Sequence, residues 1–529
     1  MPGGLFPDEA ANGLDINLMQ QGQLQPFYER GNGREALFFY MLWGSVEVFG
    51  KGPWQHHIVS ALVGVLAVLG CFLVTKQLFS MFGKHENEKR PVYIALLASF
   101  FMAASSWHVV LSRTAFRASL IPLFTTFTFY FMLKAFKANE RKKRYLFSVI
   151  TGAVFALGFY TYIAYRIMVP LIAVAVLWPL VVELLSHHRL AALKKLIGPE
   201  IIAGLSFAAF IAPIAHYFYT HPGSFVGRSG QVSIFNPELN HGNLIGTLGA
   251  VFWESIRAYF WHGDLNWRHN ISGAPFLSVI ISPFFAIGLL LVTYWAVRYV
   301  FAPIKHKNYW KYFFLAGWFW AMMIPVITTG EGIPHGLRAI GTIPAVFIMA
   351  ACGFTVVIKI VGYIREAWWP YLTAWQETFV FYIKRVTLIA FIAALISQTY
   401  ILYFVYAKNS PENFYSFRSD LTYVSDYLKA NGDKTNTYLV LDKFSIQTVD
   451  YFTAVDGHHP SNPKNQPYKQ VDPENSWELK GLNKGDQIVF TQSSLFDIKK
   501  FKQYHPNAVL TQEDRNQFSQ TVMAVYTIQ

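Results

Sequence analysis

The chain has 529 residues, of which 53% are hydrophobic, 17% aromatic and only 14% charged, with a formal net charge of +13. That charge content is well below the roughly 25% of an ordinary soluble domain, so a water-soluble globular enzyme is excluded and a multispanning membrane protein is implied. The positive balance sits in alternate loops between apolar runs, so membrane lipids rather than nucleic acid are the expected partners.

Residues 1–54 are polar and amphipathic. Asp8-Glu9 lies near the start, and Gly31-Asn32-Gly33-Arg34-Glu35 runs into Ala36-Leu37-Phe38-Phe39-Tyr40, which brings carboxylates to the edge of a bilayer. Arg34 to Phe49 reads as an amphipathic interfacial helix. Apolar runs near or above the roughly 18–20 residues that cross a bilayer follow at 57–80, 92–111, 118–136, 145–164, 167–186, 200–219, 275–300, 310–329, 338–363 and 384–407, giving ten expected spans in a bundle over 55–408. The spans are expected to be helical, because a lone strand would leave backbone groups unpaired in lipid and the alternation of a barrel is absent.

Lys137 with Arg141 to Arg144, Lys305 with Lys311, and Arg365 with Lys384 and Arg385 mark the cytoplasmic loops. The N-terminus, the short loops near 112–117, 164–166 and 330–338, the long 220–274 loop and everything after 408 are then extracytoplasmic, in a plasma membrane. No apolar leader precedes residue 54, so the expectation is either an N-out insertion helped by the acidic tail (Asp8, Glu9, Asp15, Glu29) or a first helix missing from the reading frame. Cys71 and Cys352 fall inside expected spans, and no disulfide is expected. The 220–274 loop is too long for a plain connector, and Val251 to Trp261 reads as a second interfacial helix. Residues 409–529 form an α/β domain. Helix-like runs at 414–430, 444–453 and 495–503 alternate with β-rich runs at Thr437 to Asp442, Gln487 to Thr491 and Thr521 to Ile528, and Asn431-Gly432-Asp433 makes a turn. This domain carries no phosphate-binding loop, so its expected role is stabilising or acceptor-facing.

Arginines on the non-cytoplasmic side oppose the usual bias. Arg113, Arg117, Arg166 and Arg338 lie there in very short loops, and forked binding of a phosphate or pyrophosphate explains them, with pairing to structural carboxylates or lipid headgroups as the alternative. Arg34, Arg268, His262, His269 and His335 share the same rim. A transporter or flippase of a lipid-linked sugar is the rival from another class. It would place ionisable groups at mid-depth, where this sequence has few.

Several pieces, in order, carry a resemblance. They are Pro7-Asp8-Glu9-Ala10, Asn32-Gly33-Arg34-Glu35-Ala36-Leu37, Ser106 to Arg117, Tyr160-Thr161-Tyr162-Ile163-Ala164-Tyr165-Arg166, Gly263-Asp264-Leu265-Asn266-Trp267-Arg268-His269-Asn270 and Ile333-Pro334-His335-Gly336-Leu337-Arg338. The chain resembles integral membrane glycosyltransferases of the C-type fold, in the family-39-like group of protein O-mannosyltransferases and lipid A aminoarabinose transferases. The resemblance implies an α-helical polytopic protein with a small C-terminal extracytoplasmic α/β domain. It also implies inverting transfer of a sugar from a polyprenyl-phosphate donor to a hydroxyl on an acceptor glycan, lipid or protein. By the same resemblance Asp8 is the base with Glu9 beside it. From their place on the rim, Arg34, Arg113, Arg117, Arg166, Arg268 and Arg338 are expected to hold the donor phosphate, and Tyr160, Tyr162, Trp267 and His335 to contact substrate, with an interfacial belt as the alternative for the aromatic residues. A divalent metal is implied at Glu35 with His262 or His269. One departure stands out: the loop where several relatives carry a second acid reads Ser112-Arg113-Thr114-Ala115-Phe116-Arg117 here, so Asp8 works without that helper or Arg117 marks a differently held phosphate.

Overall fold

The computed structural model describes residues 3–31, 33–81, 89–185, 189–305, 307–368, 373–431, 436–453 and 467–529, so the Gly432-Asp433 part of the expected turn lies outside the described residues. The chain forms two compact units, one of Met1–Gly31, Phe38–Val59 and Ala407–Gln529, the other of Asn32–Leu37 and Ser60–Tyr406.

The second unit is a helical bundle. Among the described residues, seven helices are long and apolar enough to cross a bilayer, namely Pro53–Ser80 (which begins in the first unit), Arg117–Lys137, Gly198–Thr220, Ser282–Phe301, Trp310–Ile327, Arg338–Trp368 and Ala374–Asn409 (which ends in the first unit). Ten spans were expected, and the other three are helical but fall short among the described residues. The 92–111 run breaks into Arg90–Ala103 and Ser106–Leu111 because Ser105 caps the second piece; Thr399 Oγ1 donates to the Ala104 carbonyl at the break (2.6 Å). Arg141–Gly158 opens on Arg-Lys-Lys-Arg and stops before Tyr160. Met168–Leu185 is a helix, but its described apolar stretch, Ile163–Trp178, is shorter than a span. The 275–300 run becomes helical only at Ser282, where Pro283 occupies the first turn.

Trp107, Trp318, Phe129 and Phe319 are fully buried in the bundle core, with Phe129 edge-on to both Phe314 and Trp318 at 4.7 Å. The Ser282–Phe301 and Ile343–Trp368 helices cross at Gly288 and Gly353. A Cβ on Gly288 would stand 1.8 Å from the Met349 carbonyl and one on Gly353 2.0 Å from that of Phe284, so small residues set this backbone approach.

The first unit joins the N-terminal segment to the α/β domain. Its sheet has five strands in the order Lys469–Val471, Thr437–Val440, Gln487–Thr491, Thr521–Ile528, Ala508–Arg515. The first three run parallel and the last two add antiparallel. The expected 414–430 helix is two helices, Pro411–Ser416 and Asp420–Asn431. Arg418 between them adopts φ 48° and pairs with Asp420 at 3.0 Å, and that left-handed residue ends the first helix. Leu5, Ala10 and Leu14 pack with Tyr451 and Phe452 in one apolar cluster, so the Pro7–Gln20 helix lies on the Ile446–Thr453 helix. Thr448 Oγ1 donates to the Leu5 carbonyl (3.1 Å), and Phe6 meets Phe444 edge-on at 5.6 Å. Gly13 lies against the Tyr451 ring, where a Cβ would be 2.3 Å from a ring carbon.

Candidate functional site

In the first unit the two neighbouring carboxylates separate. Pro7 opens the Pro7–Gln20 helix, and Glu9 folds back to accept the Phe6 N–H at 2.9 Å, a capping contact that satisfies one of the helix's free donors. Its other oxygen lies 3.2 Å from His57 Nε2, and the side chain is fully buried. Glu9 therefore closes and anchors a helix, which corrects its expected place beside the base. Asp8 is exposed, and it is the only exposed residue among 7–17. Asn12, Asp15 and Asn17 on the same helix are buried, Asp15 in an ion pair with Arg30 at 2.9 Å.

In the bundle unit a first charged cluster forms around Glu35. Arg34 and Glu35 form a short extended segment rather than the start of the expected Arg34–Phe49 helix, which begins at Leu37. The Leu37 N–H donates to the Tyr160 carbonyl (3.0 Å), fixing that start. Glu35 Oε2 is 3.3 Å from Arg117 Nε and Oε1 is 3.7 Å from Arg166 Nη2. Two guanidinium groups thus share one buried carboxylate, which draws Glu35 inward. Arg117 also donates to the Gly33 carbonyl (3.3 Å) and lies over the Tyr162 ring, 5.5 Å from its centroid. Arg166 donates to the Phe225 carbonyl (2.6 Å) and stacks on the Phe225 ring at 4.2 Å. Arg34 is buried and Arg113 half-buried. The Tyr160 hydroxyl is engaged in a helix contact, donating to the Phe210 carbonyl at 2.8 Å and accepting from Ile214 N–H at 3.4 Å.

A second cluster forms around Asp264, a residue that the sequence reading quoted within the Gly263–Asn270 piece but gave no role. Asp264 Oδ2 accepts from the Gly336 N–H (2.8 Å) and faces His269 Nδ1 at 3.0 Å and His335 Nδ1 at 4.0 Å; Oδ1 accepts from the Asn266 N–H (2.8 Å). The two imidazoles stack, 4.6 Å apart and 21° from parallel. Burial holds the His269 ring below its ordinary pKa, toward the neutral form, against the raising effect of Asp264, while Arg268 and Arg338 add to the lowering. Arg268 Nε donates to Asn266 Oδ1 (3.1 Å), and Arg338 pairs with Glu331 at 3.5 Å. Trp267 lies 5.8 Å from Tyr406. The two clusters are joined through one loop: Phe116 meets the His269 ring at 5.9 Å, and the next residue, Arg117, reaches Glu35.

Of the residues expected at a metal, Glu35 has both oxygens facing arginines and His262 is exposed. Asp264, His269 and His335 instead each offer a ligand atom within 4.8 Å of the others. The signal in the sequence was an acid five residues before a histidine in a polar loop, and a second histidine just before a glycine whose N–H could reach that acid.

Residues 36–215 match the family model described as dolichyl-phosphate-mannose-protein mannosyltransferase. In structure the chain is similar to ArnT from Cupriavidus metallidurans. The apo form matches with a TM-score of 0.54 and 12% identity, over 98% of this chain and 93% of that one. The form bound to undecaprenyl phosphate matches with a TM-score of 0.51 and 13% identity, over 99% and 95%. It has the C-type glycosyltransferase fold. The small C-terminal sheet domain belongs to this C-type architecture, and the chain is a multi-pass membrane protein. No curated protein matches it in sequence.

Proposed function

We propose that this C-type chain is an inverting glycosyltransferase that moves a sugar from a polyprenyl phosphate to a hydroxyl acceptor on the extracytoplasmic side, with Asp8 as the base. The observation that carries the reading is the Pro7–Gln20 helix, buried from Pro7 to Asn17 except for one exposed carboxylate, Asp8. A helix that buries Glu9, Asn12, Asp15 and Asn17 while leaving Asp8 in solvent keeps that group ready to accept a proton.

The acceptor hydroxyl gives its proton to the Asp8 carboxylate as its oxygen attacks the anomeric carbon from the face opposite the phosphate. The bond from that carbon to the phosphate oxygen breaks, and its electron pair leaves with the polyprenyl phosphate. A positioned base of this kind contributes about 10²- to 10⁴-fold. The leaving group is already an anion, so no acid is needed to protonate it. Guanidinium forks suffice, and the excess of arginine over carboxylate at Glu35, with Arg268 and Arg338 beside His269, supports that role. The undecaprenyl phosphate bound to the similar ArnT supports a donor of this class.

The test is sugar transfer in proteoliposomes from a panel of radiolabelled polyprenyl-phosphate sugars into total membrane acceptors. Transfer by the wild type that disappears in Asp8→Asn is expected. Unchanged transfer in Asp8→Asn removes Asp8 as the base; donor movement across the bilayer without transfer replaces the enzyme with a flippase.

A further inference from the structure

We propose that Asp264, His269 and His335 form a binding site for a divalent transition-metal ion of the zinc class. The chemistry of the donors points that way first. Two imidazoles and one carboxylate are a set that zinc and its neighbours accept readily, whereas calcium and magnesium take oxygen donors almost exclusively.

The geometry agrees. In a tetrahedral zinc site with bonds of about 2.0–2.1 Å, ligand atoms stand about 3.3 Å apart. Here Asp264 Oδ2 is 3.0 Å from His269 Nδ1 and 4.0 Å from His335 Nδ1. One contact is slightly shorter and the other slightly longer than that spacing, and all three ligand atoms lie within 4.8 Å of one another. The carboxylate is held by N–H groups from two different segments, Asn266 and Gly336, the kind of outer support that orients metal ligands. The Gly336 carbonyl is in turn fixed by Trp107 Nε1 at 3.3 Å, and Trp107 stacks on Phe276 at 4.4 Å. Both imidazoles therefore turn their Nδ1 atoms toward one anchored oxygen while lying nearly parallel. Three protein ligands leave a coordination position open, and the nearby Arg268 and Arg338 favour an anionic oxygen there.

This site differs in every ligand but His269 from the Glu35 pair that the resemblance implied, and it stands whether or not the chain transfers sugar. The experiment uses the full chain in detergent, stripped with a chelator and dialysed against zinc chloride, with metal content measured per chain and cobalt substitution followed by its visible absorption. Wild type should retain about one equivalent and give a four-coordinate cobalt spectrum. His335→Ala, at a partly exposed side chain, should keep its thermal unfolding midpoint and lose affinity by more than about tenfold. Asp264→Asn should also lose affinity by more than about tenfold, while Glu35→Gln and His262→Ala retain the ion. No retained zinc in the wild type overturns the proposal, as does wild-type stoichiometry in a folded His335→Ala, or loss of the ion in Glu35→Gln alone.

Discussion

Replacing Glu35 with Gln keeps the shape of the side chain and removes its charge, and the structure says what that costs. Arg117 Nε and Arg166 Nη2 lie 3.3 and 3.7 Å from its oxygens; at an effective dielectric of about 20 the gross attractions are about 5 and about 4.5 kcal/mol. Desolvation cancels much of this, and breaking a buried pair typically destabilises by about 3–5 kcal/mol. The low end applies, about 3 kcal/mol, because Arg117 keeps the Gly33 carbonyl and Arg166 keeps the Phe225 carbonyl and ring. The thermal unfolding midpoint of Glu35→Gln in detergent should fall by on the order of 5 °C. Removing the carboxylate also leaves the two guanidinium groups without their shared anion, so pyrophosphate in the buffer should recover part of the loss by binding the folded state, and should stabilise the variant more than the wild type. A Glu35→Gln protein as stable as the wild type, or one indifferent to pyrophosphate, would refute the view that Glu35 holds these arginines in place.

Asp8→Asn should abolish transfer while leaving the unfolding midpoint unchanged, since the exposed Asp8 makes no ion pair or hydrogen bond among the described residues; a shifted midpoint would mean the carboxylate is structural. Gly13→Leu drives a side chain into the Tyr451 ring and should cost about 1–3 kcal/mol of docking, read as faster hydrogen exchange over Pro7–Gln20. Adding Tyr451→Ala should reverse that increase, and exchange unaltered by Gly13→Leu would show that the helix is held elsewhere. For Asp442, burial pushes the carboxyl up, but hydrogen bonds from Ser445, the nearby Arg418 and the Phe444 N–H outweigh it and hold the group below its ordinary value. A depressed carboxyl stabilises above the unfolded pKa of about 3.9 and loses that effect as pH falls through the folded value. The acid-side drop in unfolding midpoint should therefore be shallower in Asp442→Asn, and an identical pH profile would show that this contact is idle.

What the sequence made visible follows from which signals are local. In the C-terminal domain Thr437–Val440, Gln487–Thr491 and Thr521–Ile528 are apolar enough to read as strands, and they are the three interior strands of the sheet. The two that escaped, Lys469–Val471 and Ala508–Arg515, are its edges, and the second ends in Gln-Glu-Asp-Arg, the charged dress that edge strands wear against aggregation. Span number suffered for a related reason. Hydropathy sees an apolar run but not the cap at Ser105 that cuts one of them. In the site, Arg117, Arg166, His269 and His335 were singled out because residue type and loop position carry that information. Glu35 was singled out too, but not its pairing: whether Glu35 meets arginine or metal, and whether Asp264 meets Gly336, depends on contacts between segments 72 or more residues apart.

The different exposure of Asp8 and Glu9 has a simple geometric origin. Consecutive helical residues point about 100° apart, while residues four apart share a face. Glu9 and Gly13 are such a pair: one is fixed by Phe6 N–H and His57, the other lies flat against Tyr451. Together they set the rotation of the Pro7–Gln20 helix about its axis, and Asp8, one residue before Glu9, is turned away from that face. Neither contact touches Asp8, yet loosening either would let the carboxylate swing. The base proposed at Asp8 must be held within a fraction of an ångström of its proton to give its full effect, and the contact of Gly13 with Tyr451 of the α/β domain contributes to that hold. The same logic separates two classes of damage: losses at Gly13, His57 or Tyr451 should blunt catalysis in proportion to how far they free the helix, whereas loss of Asp8 should remove it with the helix still in place.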